Sequence, residues 1–81
     1  MARKKQRRDE VLLQKVVLRV KELRKTHGHT QEQLIAATEV NIPNLETGEN
    51  FPNLTTLSII CKFYGITLDE FFAPLNYPPK K

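Results

Sequence analysis

Tryptophan is absent from this 81-residue chain, cysteine and methionine occur once each, and glycine occurs three times. A lone Cys61 excludes an internal disulfide and points to a reduced, cytoplasmic protein. His27 and His29 are the chain's two histidines, and no cysteine or acid stands at ligand spacing beside them, so no metal site is expected. No glycine-rich phosphate loop and no nucleophile paired with a base can be found, which argues against an enzyme and against a cofactor. No apolar run approaches the roughly 18 residues of a membrane span. The opening "MARKKQRRDE" also lacks the apolar centre of a secretory signal. A chain this short supports one domain and a small core, a size at which a partner subunit helps stability.

The most informative gap is in charge. No Lys or Arg lies between Lys25 and Lys62. Residues 1–25 carry ten bases against three acids, a balance of +7, whereas the rest carries three bases against six acids, a balance of −3. A cationic arm on an acidic body suits a polyanionic partner, most often nucleic acid, held by the arm. Residues 1–8 read as a flexible basic arm bearing Arg3, Lys4, Lys5, Arg7 and Arg8.

What is present is helical periodicity. Leu13, Val16, Val17, Val20 and Leu23 recur at three and four, predicting a helix from about Asp9, its cap, to Thr26. "HG" at 27–28 ends it, since glycine accepts the left-handed conformation after a last turn. Thr30 and Gln33 form a capping-box pattern that opens a second helix through about Ala37. Asn53 caps a later helix with Leu54, Leu57, Ile60, Cys61 and Tyr64 as its inward stripe and Gly65 as its stop. Thr67 caps a brief final helix through Phe72. The prolines of "APLNYPPKK" cannot continue a helix, so residues 74–81 read as an extended tail after a domain at 9–73.

The stretches "VKELRKTHGHTQEQL" and "LETGENFPNLTTLSIICKFYGITLDEFF" together resemble the Cro and lambda-repressor-like helix-turn-helix family, also called the xenobiotic-response-element type. The likeness runs over roughly Val16 to Phe72. It implies an all-α, five-helix domain in which the second helix crosses the DNA backbone and the third enters the major groove. Against that pattern, "TEVNIPNLETG" is shortened at the turn and at the start of the third helix. Pro43 fits only a first helical turn and pushes Ile42 out of the helical region, so the third helix must begin at Ile42 or Pro43. Ile42 and Leu45 then face the core and leave Asn41 and Asn44 on another face.

Asparagine can pair with the N6 and N7 edge of adenine, which makes Asn44 the first candidate reader. Asn41 is the second, with a helix cap as its competing role. Thr47 and Asn50 complete the polar set around the third helix. The resemblance also implies an ion pair between Arg24 and Glu46 that anchors the third helix to the first, and a phosphate contact by Gln31. The loop "TGENFPN" has no cation, so phosphate contacts fall to Arg24, Lys25 and the arm.

Val11, Leu18, Ile59 and Phe63 do not fit the inward stripes and are candidate contacts of a homodimer. The function the resemblance implies is a transcription regulator that binds double-stranded DNA sequence-specifically, either a repressor or a small operon controller, with no small-molecule effector in view. The alternative is a protein-interaction module or antitoxin-like protein on the same fold, with weak or no base selection.

Overall fold

The computed structural model describes residues 8–80, and among them there are five α-helices and no strand. The first, α1 (Glu10–Thr26), starts where the Asp9 carboxylate accepts from the Leu12 amide, and it buries Leu13, Val16, Val17, Val20 and Leu23. In α2 (Gln31–Thr38), Thr30 and Gln33 close a reciprocal capping box, with Oγ1 accepting from the Gln33 amide at 3.1 Å and Oε1 from the Thr30 amide at 2.8 Å. The short α3 (Ile42–Glu46) has proline in its first turn, where a missing amide hydrogen costs no helical bond. Then α4 (Leu54–Tyr64) runs from its Asn53 cap to Gly65 at φ 70°, and α5 (Leu68–Phe72) is closed by a Thr67–Glu70 capping box. Their apolar sides meet around Val20, Leu34, Ile42, Ile60 and Phe71, all fully buried.

Two sequence expectations are corrected. Leu54, assigned to the inward stripe of α4, is 65% exposed, because the first residue of the helix precedes the turn that reaches the core. Nor does the chain leave the domain at residue 74. Ala73–Leu75 form a 3-10 turn that packs Leu75 into the core against α1, and the Tyr77 hydroxyl donates to Asp9 at 2.7 Å. Proline is tolerated in this turn because it stands in the first positions of the helical segment.

The closing side of the core is locked by Arg19. Its Nε donates to the Phe71 carbonyl at 2.7 Å and its Nη2 to the Glu70 carbonyl at 2.9 Å, satisfying acceptors that the end of α5 leaves free. The guanidinium also lies 5.6 Å from the Phe71 ring centre.

Between α2 and α3 the turn is three residues, Glu39 to Asn41, and its first residue takes a left-handed conformation at φ 61°, ψ 21°. For a residue with a Cβ this costs roughly 1–2 kcal/mol. Glu39→Gly removes that strain at the expense of a more flexible unfolded chain, for a net gain of about 0.5–1 kcal/mol. The expected result is a melting temperature raised by about 4 °C in calorimetry. A fall instead would mean that the glutamate side chain holds the turn by a contact of its own.

Candidate nucleic-acid interface

The position of α3 is set by a buried ionic node drawn from three helices. Arg24 of α1 makes a two-pronged pair with Glu46, Nε to Oε2 at 2.9 Å and Nη2 to Oε1 at 3.0 Å, and its Nη1 donates to the His29 carbonyl at 3.1 Å. Gln31 of α2 adds a bond from Nε2 to Glu46 Oε1 at 2.8 Å. The Glu46 side chain is 3% exposed. Burial alone would raise its pKa, but the hydrogen bonds from Arg24 and Gln31 and the charges of Arg24 and Lys21 outweigh burial and hold it below the ordinary value. Arg24 is correspondingly raised, first by its hydrogen bond to Glu46. The fork matches a carboxylate in a way that lysine could not.

This node turns two candidate phosphate contacts inward. Arg24 directs three N–H groups to protein oxygens, and the Gln31 amide points at Glu46. The cations beside α3 are instead Lys21 and Lys25, one turn apart on α1. They line a groove with Arg24, Gln31, Pro43, Glu46 and Thr47. Lys21 was missing from the sequence-derived site. Its spacing of four from Lys25 is the signal that puts both on one face of α1.

On α3 itself, Ile42 and Leu45 are buried while Pro43 and Asn44 are exposed. Asn41 caps the helix, its Oδ1 accepting from the Asn44 amide at 3.1 Å, and it too is exposed. The Asn44 carboxamide has no hydrogen-bond partner among the described residues. The Thr47 hydroxyl donates to the Asn44 carbonyl at 2.7 Å and accepts from the Glu49 amide at 3.3 Å, so it shapes the exit from α3. Asn50 lies exposed in the following loop, and Glu32, Glu39 and Glu49 are exposed around the same region. Arg8 pairs with Glu10 at 2.9 Å, and Arg3, Lys4, Lys5 and Arg7 lie outside the described residues.

The apolar candidates occupy two settings. Leu18 on α1, 60% exposed, borders a groove with Lys15, Arg19, Glu22, Pro74 and Leu75, and Val11 is exposed on the same helix. On α4, Ile59 and Phe63 are partly exposed, and the Phe63 ring lies 5.5 Å from His29. Cys61 is buried, which pushes its thiol pKa up and leaves it unreactive. Among the described residues no group of three or more His, Cys, Asp or Glu could hold a metal ion, and no helix is long and apolar enough to cross a membrane.

No family model matches the chain, and no solved structure matches it. Over 58 residues, 68% of this chain, it is 34% identical to a protein of Enterococcus faecalis named HTH-type transcriptional activator BcrR. The matched stretch is 28% of that protein's length, so the chain spans less than a third of this relative. The likeness supports a helix-turn-helix regulator family, and the all-helical fold agrees with it.

Proposed function

We propose that the chain is a sequence-specific DNA-binding regulator of transcription, of the Cro and lambda-repressor-like type, acting in the cytoplasm as a homodimer. The observation that carries this reading is the groove in which Lys21 and Lys25 of α1 flank Pro43 of α3 and Thr47 at its C-terminal cap. The recognition helix has no cation of its own, and the neighbouring helix supplies two beside it. Glu46 would repel phosphate if free, but it is buried against Arg24. Five residues at 1.5 Å each give α3 a length of about 8 Å, enough to enter a major groove about 12 Å wide with one turn of side chains. Lys21 and Lys25 would seat it by phosphate contacts, while Asn44 and Asn41 face base edges.

Ile59 and Phe63 are the preferred dimer contact, because they stand four apart on α4 and present one apolar edge. A two-fold dimer places two half-sites about 34 Å apart. The relative is named an activator, whereas the sequence reading was a repressor or a small operon controller; on a dimeric reader either sense follows from where the operator lies.

Exposed Glu32, Glu39 and Glu49 favour the second reading, a protein-interaction module that docks a basic partner through this end of the molecule. Selection from a randomised duplex pool at several salt concentrations separates the two. The regulator yields two related half-sites one turn apart, and the interaction module yields no preferred sequence.

The arm is tested separately. Deleting residues 2–8 removes five cations, Arg3, Lys4, Lys5, Arg7 and Arg8, and is expected to weaken binding and to flatten its dependence on salt. A truncated chain that binds as tightly as the intact one would remove the arm from the mechanism.

A further inference from the structure

The cap on α3 constrains what Asn41 can read. A backbone amide can only donate, so the Asn41 atom 3.1 Å from the Asn44 nitrogen must be the carbonyl oxygen of its carboxamide. That fixes which way the amide is turned. Its oxygen faces the first turn of α3, and its two N–H donors are left for the exposed side. A carboxamide reads adenine by presenting oxygen and nitrogen together, the oxygen accepting from N6 and the nitrogen donating to N7. The oxygen keeps a second lone pair, but while it caps the helix it is turned towards the first turn of α3 and not, beside the N–H donors, towards a base edge. Asn44, with no partner for either end of its carboxamide among the described residues, can offer that pair.

Resting on the DNA-binding reading above, we propose that Asn41 and Asn44 specify different bases: Asn44 takes adenine, and Asn41, held as a donor by its own cap, takes guanine and rejects cytosine. Guanine offers N7 and O6 as neighbouring acceptors in the major groove. Thymine offers a single O4 and ranks second. Cytosine presents only its N4 donor, which faces the Asn41 donors without a bond. The same side chain therefore ends the turn, starts the helix and sets one position of the operator.

The test uses the full chain and two variants that keep the cap. Asn41→Asp preserves an oxygen for the Asn44 amide and replaces the outward donors by an acceptor. Asn41→Ser preserves a cap and removes the carboxamide. Both are good capping residues, so their melting temperatures should stay within about 2 °C of the intact chain. In pool selections the intact chain should prefer guanine at one position of each half-site. N41D should move that preference to cytosine or adenine, and N41S should flatten it, each by roughly fivefold or more, with the remaining positions unchanged. If the intact chain selects a sequence and both variants select the same one, Asn41 is a cap alone and this inference is overturned while the DNA-binding reading stands. If the intact chain selects no sequence, both fall together.

Discussion

Arg24→Ala is expected to lower the melting temperature by about 12 °C or more and to weaken DNA binding in the same protein. The size follows from what is left behind. Glu46 is almost fully enclosed, and without Arg24 its only remaining hydrogen bond among the described residues is that from Gln31. Breaking a buried ion pair from one side costs about 3–5 kcal/mol, because the other charge stays buried without compensation. In a domain of this size each kcal/mol is worth about 4–8 °C. On the proposed DNA-binding reading the loss also reaches function, since the pair joins α3 to α1 and so fixes α3 beside the groove that carries Lys21 and Lys25. A double substitution, Arg24→Ala with Glu46→Gln, removes the stranded charge and should recover part of the stability, giving a large coupling energy in the mutant cycle.

The pH dependence has a definite sign. The folded pKa of Glu46 lies below its ordinary value of 4.5, so the stability it contributes is complete above pH 4.5 and is lost as pH falls through the lower folded value. In Arg24→Ala burial pushes the same carboxyl upward, and mild acid then relieves it by protonation. The two melting curves should therefore converge as pH falls from 7 towards 4. Equal melting temperatures at pH 7 would show that the node does not hold α3.

Local rules carried most of the fold. Asp9, Thr30, Asn53 and Thr67 all cap helices, and each was legible because a cap depends on residues within one turn of itself. The limit on α3 was equally local, since Pro43 permits only one kind of start. What escaped the sequence was set across the chain. Nothing near Arg19 announces that its guanidinium will cap carbonyls 51 and 52 positions away. Leu54 satisfied the apolar spacing of α4, but spacing gives a face and not the depth at which the helix enters the core. Leu75 was hidden by prolines that mark the end of helices without saying whether a shorter turn still packs. Around α3, type and position placed Asn41 and Asn44 on the exposed side, where they lie, whereas Lys21, which lines the neighbouring groove, was passed over and Gln31, assigned to a phosphate, bonds Glu46. Whether an amide turns to solvent or to a buried carboxylate depends on where α1, α2 and α3 converge, which one helix's period does not contain.

Replacing Lys21 and Lys25 together by glutamine is expected to reduce affinity for duplex DNA by on the order of tenfold per lost contact near 0.1 M salt, and to make the salt dependence shallower by about two counterions. Each lysine that neutralises a phosphate releases roughly 0.9 of a condensed cation, and the entropy of that release is what the variant loses. The base preference should survive, because phosphate contacts seat a protein without reading sequence. Stability should barely move. Lys25 is exposed, and Lys21 acts on the ionic node only through its charge, so the melting temperature separates loss of binding from loss of fold. The comparison with the arm deletion decides how the shortened α3 is seated. If α1 supplies the seat, the two lysines and the arm contribute additively, and removing either makes the salt dependence shallower while the other remains. If the lysine pair can be removed with no change in slope or affinity, the arm alone carries the phosphate contacts, the groove beside Pro43 and Thr47 is not a DNA surface, and the exposed glutamates around α3 become the better guide to what this end of the molecule meets.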